Sequence, residues 1–215
     1  MEYFQTMIHD FWVFALASLV LNITPGNDML YVASRSTGQG IKAGIVSSLG
    51  IMVGCLAHIL AAVVGLSAII AGSAIAFDII KYIGAAYLVY LGVRSLVSKK
   101  RSDFQPDGKL PPLSYRKLFV QGIITNVLNP KVALFFLAFL PQFINTDALH
   151  AQWQILFLGI WFDVGGTGVN ILVAILFGRM GNWLARSPRF LRVQQKFTAV
   201  VLIALGIKVA LTAKK

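Results

Sequence analysis

Cysteine is almost absent from this chain, since Cys55 is the only one among 215 residues. A disulfide within the chain is therefore excluded, and the membrane proteins that relay electrons through two thiols are disfavoured. Clusters of His, Asp or Glu with metal-ligand spacing are also lacking, as are the catalytic patterns H-E-x-x-H and G-x-S-x-G. We accordingly expect neither a metal site nor a cofactor.

Charged residues are scarce as well, at 13% of the chain against 57% hydrophobic residues, and the mean hydropathy is +0.76. A single core formed by 215 residues in water cannot bury so much apolar surface, so we expect an all-α integral membrane protein. A span needs roughly 20 residues. Six apolar stretches meet or approach that length, at residues 8–33, 41–71, 75–97, 118–143, 153–177 and 197–213.

Acidic residues are the rarer sign of charge, with 8 Asp and Glu against 19 Lys and Arg. Fourteen of the basic residues fall in alternate loops, after the first, third and fifth stretches. The positive-inside rule places those loops in the cytoplasm and both termini outside the cell membrane, which we take to be an inner membrane. Anionic lipids explain the excess charge, so no nucleic-acid partner is expected. Because the segment before Phe11 carries Glu2 and Asp10 and no basic residue, we expect the first stretch to be retained as a span.

Two proline-centred breaks interrupt the apolar stretches, with the sequences NITPGND at residues 22–28 and NVLNPK at residues 126–131. An interrupted helix is tolerated in a membrane only where it is buried in protein or lines a wet cavity. Thr24 before Pro25 and Asn129 before Pro130 predict new helix starts, capped by the Thr and Asn side chains. Secondary transporters hold substrate at such breaks.

Each break also carries a charge deep in its stretch. Lys131 lies near the middle, where an unpaired ammonium would cost at least about 2.5 to 3.5 kcal/mol, so it needs a partner or a cavity. An ion pair with Asp28 or Asp163 and a direct contact with substrate are both open. His58 is either a proton carrier or a packed side chain bonded to a backbone carbonyl, and the second is favoured because the sequence fixes no partner for it.

The chain divides into two similar halves, which we expect to form one transmembrane domain. Repeat one covers about residues 1–97, a cytoplasmic linker about 98–117, and repeat two about 118–215. A shift of 105 residues brings Pro25 onto Pro130, Gly54 onto Gly159 and His58 onto Asp163. Three spans per half would make the repeats inverted, with the breaks facing each other near the midplane. Chance matching of Leu/Gly/Ala-rich segments is the alternative. The G-x-x-x-G pairs at 40/44 and 50/54 predict close helix packing.

Several motifs follow one another along the chain: TPGNDML at residues 24–30, four spaced glycines at 40–54, GAAYLVYLG at 84–92, and NVLNPK at 126–131 followed by PQF at 141–143. Together they resemble the LysE/RhtB family of amino-acid exporters over nearly the whole chain. The family commonly has a second proline after the Pro-Gly pair, where this chain has Asn27.

The resemblance implies a six-span exporter that moves small neutral amino acids, such as threonine, homoserine or leucine, out of the cytoplasm, or else basic ones such as lysine and arginine. Neutral substrates are favoured because no further acid lies deep in the spans. We expect alternating access and proton antiport, with substrate, protons, lipids and, as an open alternative, further copies of the chain as partners. The substrate-binding candidates are Thr24, Pro25, Gly26, Asn27, Asp28, Asn126, Asn129, Pro130 and Lys131.

Charge assigns roles within that set. The positive helix ends after the prolines, with Lys131, can hold a carboxylate, and Asp28 can hold an ammonium. Asp28, His58 and Asp163 are the candidates for proton coupling. Asn22, Asn126 and Asn170 either bridge helices or line the path. The alternatives are an inorganic-cation exporter and a membrane-embedded enzyme that uses the acids and His58 on lipid.

Overall fold

The computed structural model describes residues 11–66, 74–97, 112–144, 151–186 and 188–211. These residues are almost entirely helical and contain no β-strand, which confirms the all-α expectation for the part described. The helices, numbered in chain order, are α1 (Phe11–Ile23), α2 (Asn27–Gln39), α3 (Ile41–Ala61), α4 (Ala74–Val97), α5 (Tyr115–Val127), α6 (Pro130–Leu134), α7 (Ala151–Arg186) and α8 (Pro188–Leu211).

Two of the helical segments are long and apolar enough to cross a membrane alone, Ile41–Gly65 and Ala151–Met180. Two more spans result if each broken pair counts as one: α1 with α2, bent by 46°, and α5 with Pro130–Phe143, bent by 43°. α4 and α8 have 24 residues each, which is sufficient length. The described helices therefore suit a multi-pass membrane protein, with two to four spans evident from length and composition.

The helices extend further than the apolar stretches do at the fifth and sixth positions. α7 has 36 residues, or about 54 Å at 1.5 Å per residue, and α8 begins at Pro188 instead of near residue 197. Arg192 and Lys196, which the sequence places between spans, lie on α8. Residues 1–10, 98–111 and 212–215 lie outside the described part, and with them most of the expected linker and the terminal charges.

Glycine allows α3 and α5 to approach closely and in parallel. A Cβ on Gly50 would strike the backbone of Phe119, and one on Gly54 would lie 2.7 Å from the carbonyl oxygen of Ile123. Gly122 is equally close to the carbonyl oxygen of Ser47. The packing role predicted for Gly50 and Gly54 is confirmed. Gly40 differs, because a Cβ added there would have no atom within 4 Å and its φ of 86° makes it the turn between α2 and α3.

The other long contacts also have a definite direction. α4 and α8 are antiparallel, since Gly92 faces the backbone of Ala199 whereas Gly206 faces that of Ala85. α7 runs parallel to the α1–α2 pair: the Asn22 side chain bonds to the backbone of Phe162, and fifteen residues on, Thr37 reaches the backbone of Phe177. Hydrogen bonds between the segments around Pro25 and Pro130 place the two breaks side by side in the interior.

Aromatic side chains fill the core beside the second break. After α6 the chain continues as a π-helical turn, Phe135–Phe139, and a 3₁₀ turn, Leu140–Phe143. Phe135 stacks on Phe162 of α7 with ring centroids 4.3 Å apart, and it also packs against Phe14 of α1. This buried cluster fixes α1, α6 and α7 around the site described next.

Candidate functional site

The first break lies between α1 and α2. Pro25 has no N–H, so the carbonyl of Leu21, four residues earlier, loses its usual helical donor. The backbone N–H of Thr24 bonds instead to the carbonyls of Val20 and Leu21, at 3.0 and 3.1 Å. α2 then begins at Asn27, and its N-cap residue, Gly26, supplies no side-chain hydrogen bond.

The predicted capping role of Thr24 is therefore wrong. Its hydroxyl donates back to the carbonyl of Val20 at 2.7 Å, within its own helix. The physical reason is distance along the chain: Gly26 stands between the proline and the new helix in an extended conformation, with φ of −155°. A threonine hydroxyl that cannot reach the next helix takes the nearest carbonyl behind it.

The second break, between α5 and α6, has the expected cap. The Oδ1 atom of Asn129 accepts a hydrogen bond from the backbone N–H of Lys131 at 3.0 Å, and Pro130 occupies the first helical position. Because Pro130 has no N–H, the carbonyl of Asn126 has no helical donor four residues later. It accepts instead from the N–H of Asn129 at 2.8 Å. The prediction for Asn129 and Pro130 is confirmed.

Each freed carbonyl receives a second donor from the other half of the chain. The Lys131 ammonium donates to the carbonyls of Leu21 and Thr24, at 3.2 and 2.9 Å. The Nε2 atom of His58 lies 2.9 Å from the carbonyl oxygen of Asn126, and because a carbonyl only accepts, Nε2 carries the hydrogen. The interpretation of His58 as a packed side chain bonded to a backbone carbonyl is confirmed.

The ion-pair interpretation of Lys131 is wrong. Among the described residues neither Asp28 nor Asp163 forms a salt bridge with its ammonium, although the charge of Asp28 is close enough to attract it. The cation is held by the backbone carbonyls of the first break, where the negative end of α1 also favours it. Gly26 packs against the end of the Lys131 side chain, since a Cβ on Gly26 would be 3.1 Å from Nζ.

Asp28 is held by the opposite break. It lies in the first turn of α2, is 8% exposed, and accepts two hydrogen bonds at Oδ2, from the side-chain amides of Asn126 at 3.0 Å and Asn129 at 2.8 Å. Its other oxygen, Oδ1, is buried without a partner. The charged group of each break is thus bound by groups of the other.

A small cavity lies against this interlocked centre. Its water-accessible volume is about 20 Å³, enough for roughly one water molecule and too little for a whole amino acid without movement of the helices. Asp28, Lys131 and Asp163 line it, together with Asn22, Met29, Ile51, Cys55, Asn126, Val132, Phe162, Gly166, Thr167 and Asn170.

The remaining predicted residues frame this cavity instead of lining it. Thr24 and Asn129 are buried in the break backbones, Asn27 is exposed at the start of α2, and His58 stacks on Phe136. The framing set is completed by Pro25, Gly26 and Pro130. Asn22 both lines the cavity and bridges two helices, because its side-chain amide donates to the carbonyl of Phe162 at 3.0 Å.

Two lining residues that carry a hydroxyl or a thiol were missed by the sequence reasoning or given no role in the site. Thr167 lies four residues after Asp163 on α7, and a helix places such residues on one face, so a search from each buried acid would have found it. Cys55 lines the cavity together with Asp163. Among the described residues no cation forms a salt bridge with Asp163.

Comparison with known proteins gives one family and several relatives. The family described as LysE type translocator matches residues 19–213. An uncharacterised membrane protein of Bacillus subtilis, YrhP, is 34% identical over 95% of this chain and 100% of its own. An uncharacterised membrane protein of Vibrio cholerae is 31% identical over 96% of this chain and 98% of its own. The leucine efflux protein of Salmonella typhimurium is 27% identical over 72% of this chain and 73% of its own. No solved structure matches.

Proposed function

Because this chain belongs to the LysE type translocator family, a family of transporters and not of enzymes, we propose that it is a secondary transporter that exports small neutral amino acids. The observation that carries the proposal is the pair of interlocked breaks, which bring Lys131 and Asp28 to a single buried cavity that Asp163 of α7 also lines. The similarity to leucine efflux proteins supports an amino acid as the cargo. Export runs from the cytoplasm across the inner membrane.

The carboxylate of the substrate binds at the first break. The N-terminus of α2 has no side-chain cap, so its positive end is open to an anion, and Lys131 lies beside it at Gly26. A substrate carboxylate would take the place of the carbonyls of Leu21 and Thr24 as the partner of the lysine. Charge-assisted hydrogen bonds of this kind are shorter and stronger than neutral ones.

The ammonium of the substrate binds at Asp28. Its Oδ2 atom is anchored by two amides, which leaves Oδ1 as a preorganised acceptor. A zwitterion bridging Lys131 and Asp28 would neutralise both charges within the membrane, where an unbalanced charge is costly. This assignment makes the breaks the substrate site and the surrounding prolines its scaffold.

Transport proceeds by alternating access between two inverted halves. Exchange of the halves would carry the α3–α5 contact onto the contact of α7 with α1 and α2, and both of these are parallel. The same exchange would map the antiparallel α4–α8 contact onto itself. These directions support six spans with repeats at about 1–97 and 118–215. The basic residues in alternate loops support a cytoplasmic linker and both termini outside. Inverted repeats with broken helices at midplane are a common transporter design.

Proton antiport completes the cycle, with Asp163 as the preferred carrier. It lines the cavity beside the neutral thiol of Cys55, and no cation among the described residues forms a salt bridge with it. A carboxyl without a cation beside it can bind and release a proton as water enters and leaves the site. His58 is the weaker candidate because its Nε2 hydrogen is already committed to the carbonyl of Asn126.

Efflux from preloaded proteoliposomes tests the proposal. Leucine, threonine, homoserine, lysine and arginine would be loaded in turn, with and without an imposed pH gradient. We expect efflux of neutral amino acids that accelerates with the gradient, and its loss in Pro25→Ala and Pro130→Ala, whose continuous helices cover the half-helix ends. Normal transport by both variants would show that the prolines are only kinks, and absence of transport for all five substrates would reject the exporter.

A further inference from the structure

Three buried polar atoms around the cavity have no hydrogen-bond partner. They are Oδ1 of Asp28 on α2, Oδ1 of Asn126 on α5 and Oγ1 of Thr167 on α7. All three residues line the same cavity. Native proteins leave few buried polar atoms unpaired, so three at one cavity, each from a different span, call for a ligand or a further explanation.

The three atoms share one chemistry, because each can accept a hydrogen bond. A carboxylate oxygen accepts only, which fixes the Asn126 side chain with its amide nitrogen toward Oδ2 of Asp28 and its oxygen elsewhere. The Thr167 hydroxyl can accept with its lone pairs. Lys131, the cation that lines the cavity, already donates to two carbonyls. The three unpaired atoms are therefore all able to accept, which suits a ligand rich in N–H donors.

Size narrows the ligand further. A water-accessible volume of about 20 Å³ holds one group of the size of water or of an ammonium nitrogen. A primary ammonium offers three N–H donors, one for each acceptor, and its positive charge would contact Asp28, which forms no salt bridge among the described residues. An N-methyl group would replace one donor with an apolar carbon and would need space that the cavity does not have.

We propose that Asp28 Oδ1, Asn126 Oδ1 and Thr167 Oγ1 form a three-acceptor subsite for a primary ammonium group, and that Thr167 makes the protein reject N-alkylated amino acids. The inference rests on the proposed export of amino acids and adds Thr167 as a specificity-determining residue. Each substrate N–H meets one acceptor, so secondary amines lose a hydrogen bond and leave a buried acceptor unpaired. Sites of this kind discriminate strongly against analogues that lack the donor.

Counterflow in proteoliposomes with leucine and N-methylleucine tests the subsite. We expect wild type to prefer leucine by at least roughly tenfold, since the analogue leaves one buried acceptor unpaired. Thr167→Val removes the third acceptor at nearly constant volume. It should lower leucine transport by roughly tenfold and N-methylleucine transport much less, so that the preference falls. Thr167→Ser keeps the hydroxyl and should keep the preference.

A matched control is Thr125→Val on α5, whose hydroxyl donates to the carbonyl of Gln121 away from the cavity. It should leave both substrates unchanged. Equal transport of leucine and N-methylleucine by wild type would overturn the proposal, as would an equal loss of both in Thr167→Val. Leucine transport that requires Na⁺, with the Na⁺ requirement shifted in Thr167→Val, would assign the acceptors to a metal cation and also overturn it.

A direct binding measurement separates the subsite from the proposed function. Thermal stabilisation of the purified protein would be compared for methylammonium and tetramethylammonium. If no amino acid is transported but methylammonium alone stabilises wild type and fails to stabilise Thr167→Val, the exporter fails and the ammonium subsite stands. Equal responses to the two cations, or none from either, would reject the subsite whatever the transport result.

Discussion

The two proline breaks have nearly the same backbone and opposite chemistry. Their bends are 46° and 43°, and in each the proline frees a carbonyl that accepts from the backbone N–H of the residue before the proline. The difference lies at the helix that follows. Asn129 caps α6 with its side chain, whereas α2 begins after Gly26 with no side-chain cap.

This difference divides the work of the site between the breaks. The capped second break is complete within itself and can extend Lys131 and two amides across to the other half. The uncapped first break leaves its helix end open, with the small Gly26 giving the lysine room to approach. A pair of equally capped breaks would be more stable and would offer an anion no helix end to bind.

The largest effect is expected from Lys131→Met, which removes the cation that the second break supplies to the first. Amino-acid efflux should fall by roughly 10- to 100-fold, the value of hydrogen bonds to a charged group, because the carboxylate and the carbonyls of Leu21 and Thr24 lose their donor. Efflux of 3-methylbutylamine, the decarboxylated analogue of leucine, should be spared. Proteoliposome efflux of both compounds measures the split.

Asp28→Asn is the matched variant on the first break, and it should weaken leucine and the amine alike. The double variant decides between a site and a simple charge balance. A stable double variant without transport supports the site. Full recovery of transport in the double variant would mean that the two charges serve only to offset each other.

The next largest effect concerns stability and separates the two residues that precede the prolines. Asn129→Ala removes both the cap of α6 and one of the two donors to Asp28, so we expect a loss of about 1 to 3 kcal/mol in the free energy of unfolding. Thr24→Val should cost less than about 1 kcal/mol, because the Val20 carbonyl keeps the backbone N–H of Thr24. Thermal unfolding in detergent compares the stability losses of the two variants. Equal losses would contradict the difference in capping between the two breaks.

A smaller effect is expected from Gly26→Ala. The backbone there tolerates alanine, but the new Cβ would lie 3.1 Å from Nζ of Lys131 and 3.2 Å from its Cε, so the end of the lysine must shift by a few tenths of an ångström. We expect KM for leucine to rise by roughly threefold to tenfold. Gly38→Ala on the same helix is the control, since nothing lies within 4 Å of its Cβ position, and a similar rise there would contradict the prediction.

The smallest effect is expected from His58→Gln. Glutamine keeps an N–H donor that can serve the carbonyl of Asn126, so efflux and its dependence on pH should stay within about twofold of wild type. The pH profile of leucine efflux between about pH 5 and 8 is the measurement. A flattened profile would make His58 a proton carrier and not a structural partner of the second break.

Local sequence rules predicted part of this site and could not predict the rest. Asn129 before Pro130 obeys the rule for a helix start, and the cap is present. Thr24 before Pro25 obeys the same rule, but the extended Gly26 delays the helix. The bonds of Lys131 to the first break join residues 107 and 110 positions apart, and no local pattern encodes them. Similarly, the sequence shows that Lys131 needs a partner without indicating that backbone carbonyls would serve.

The crossed bonds between the breaks have a consequence for how the protein is made. When the first half leaves the ribosome, Asp28 and the carbonyl of Leu21 have none of the side-chain partners they will later use, because those partners lie about a hundred residues downstream. The membrane core offers no water in their place. The polar groups of the break around Pro25 must therefore be bound by water or by a helper protein until α5 and α6 have been synthesised. Neither half supplies all the hydrogen-bond partners of its own break. A gene for one half alone would therefore encode a membrane protein with unpaired polar groups in its interior.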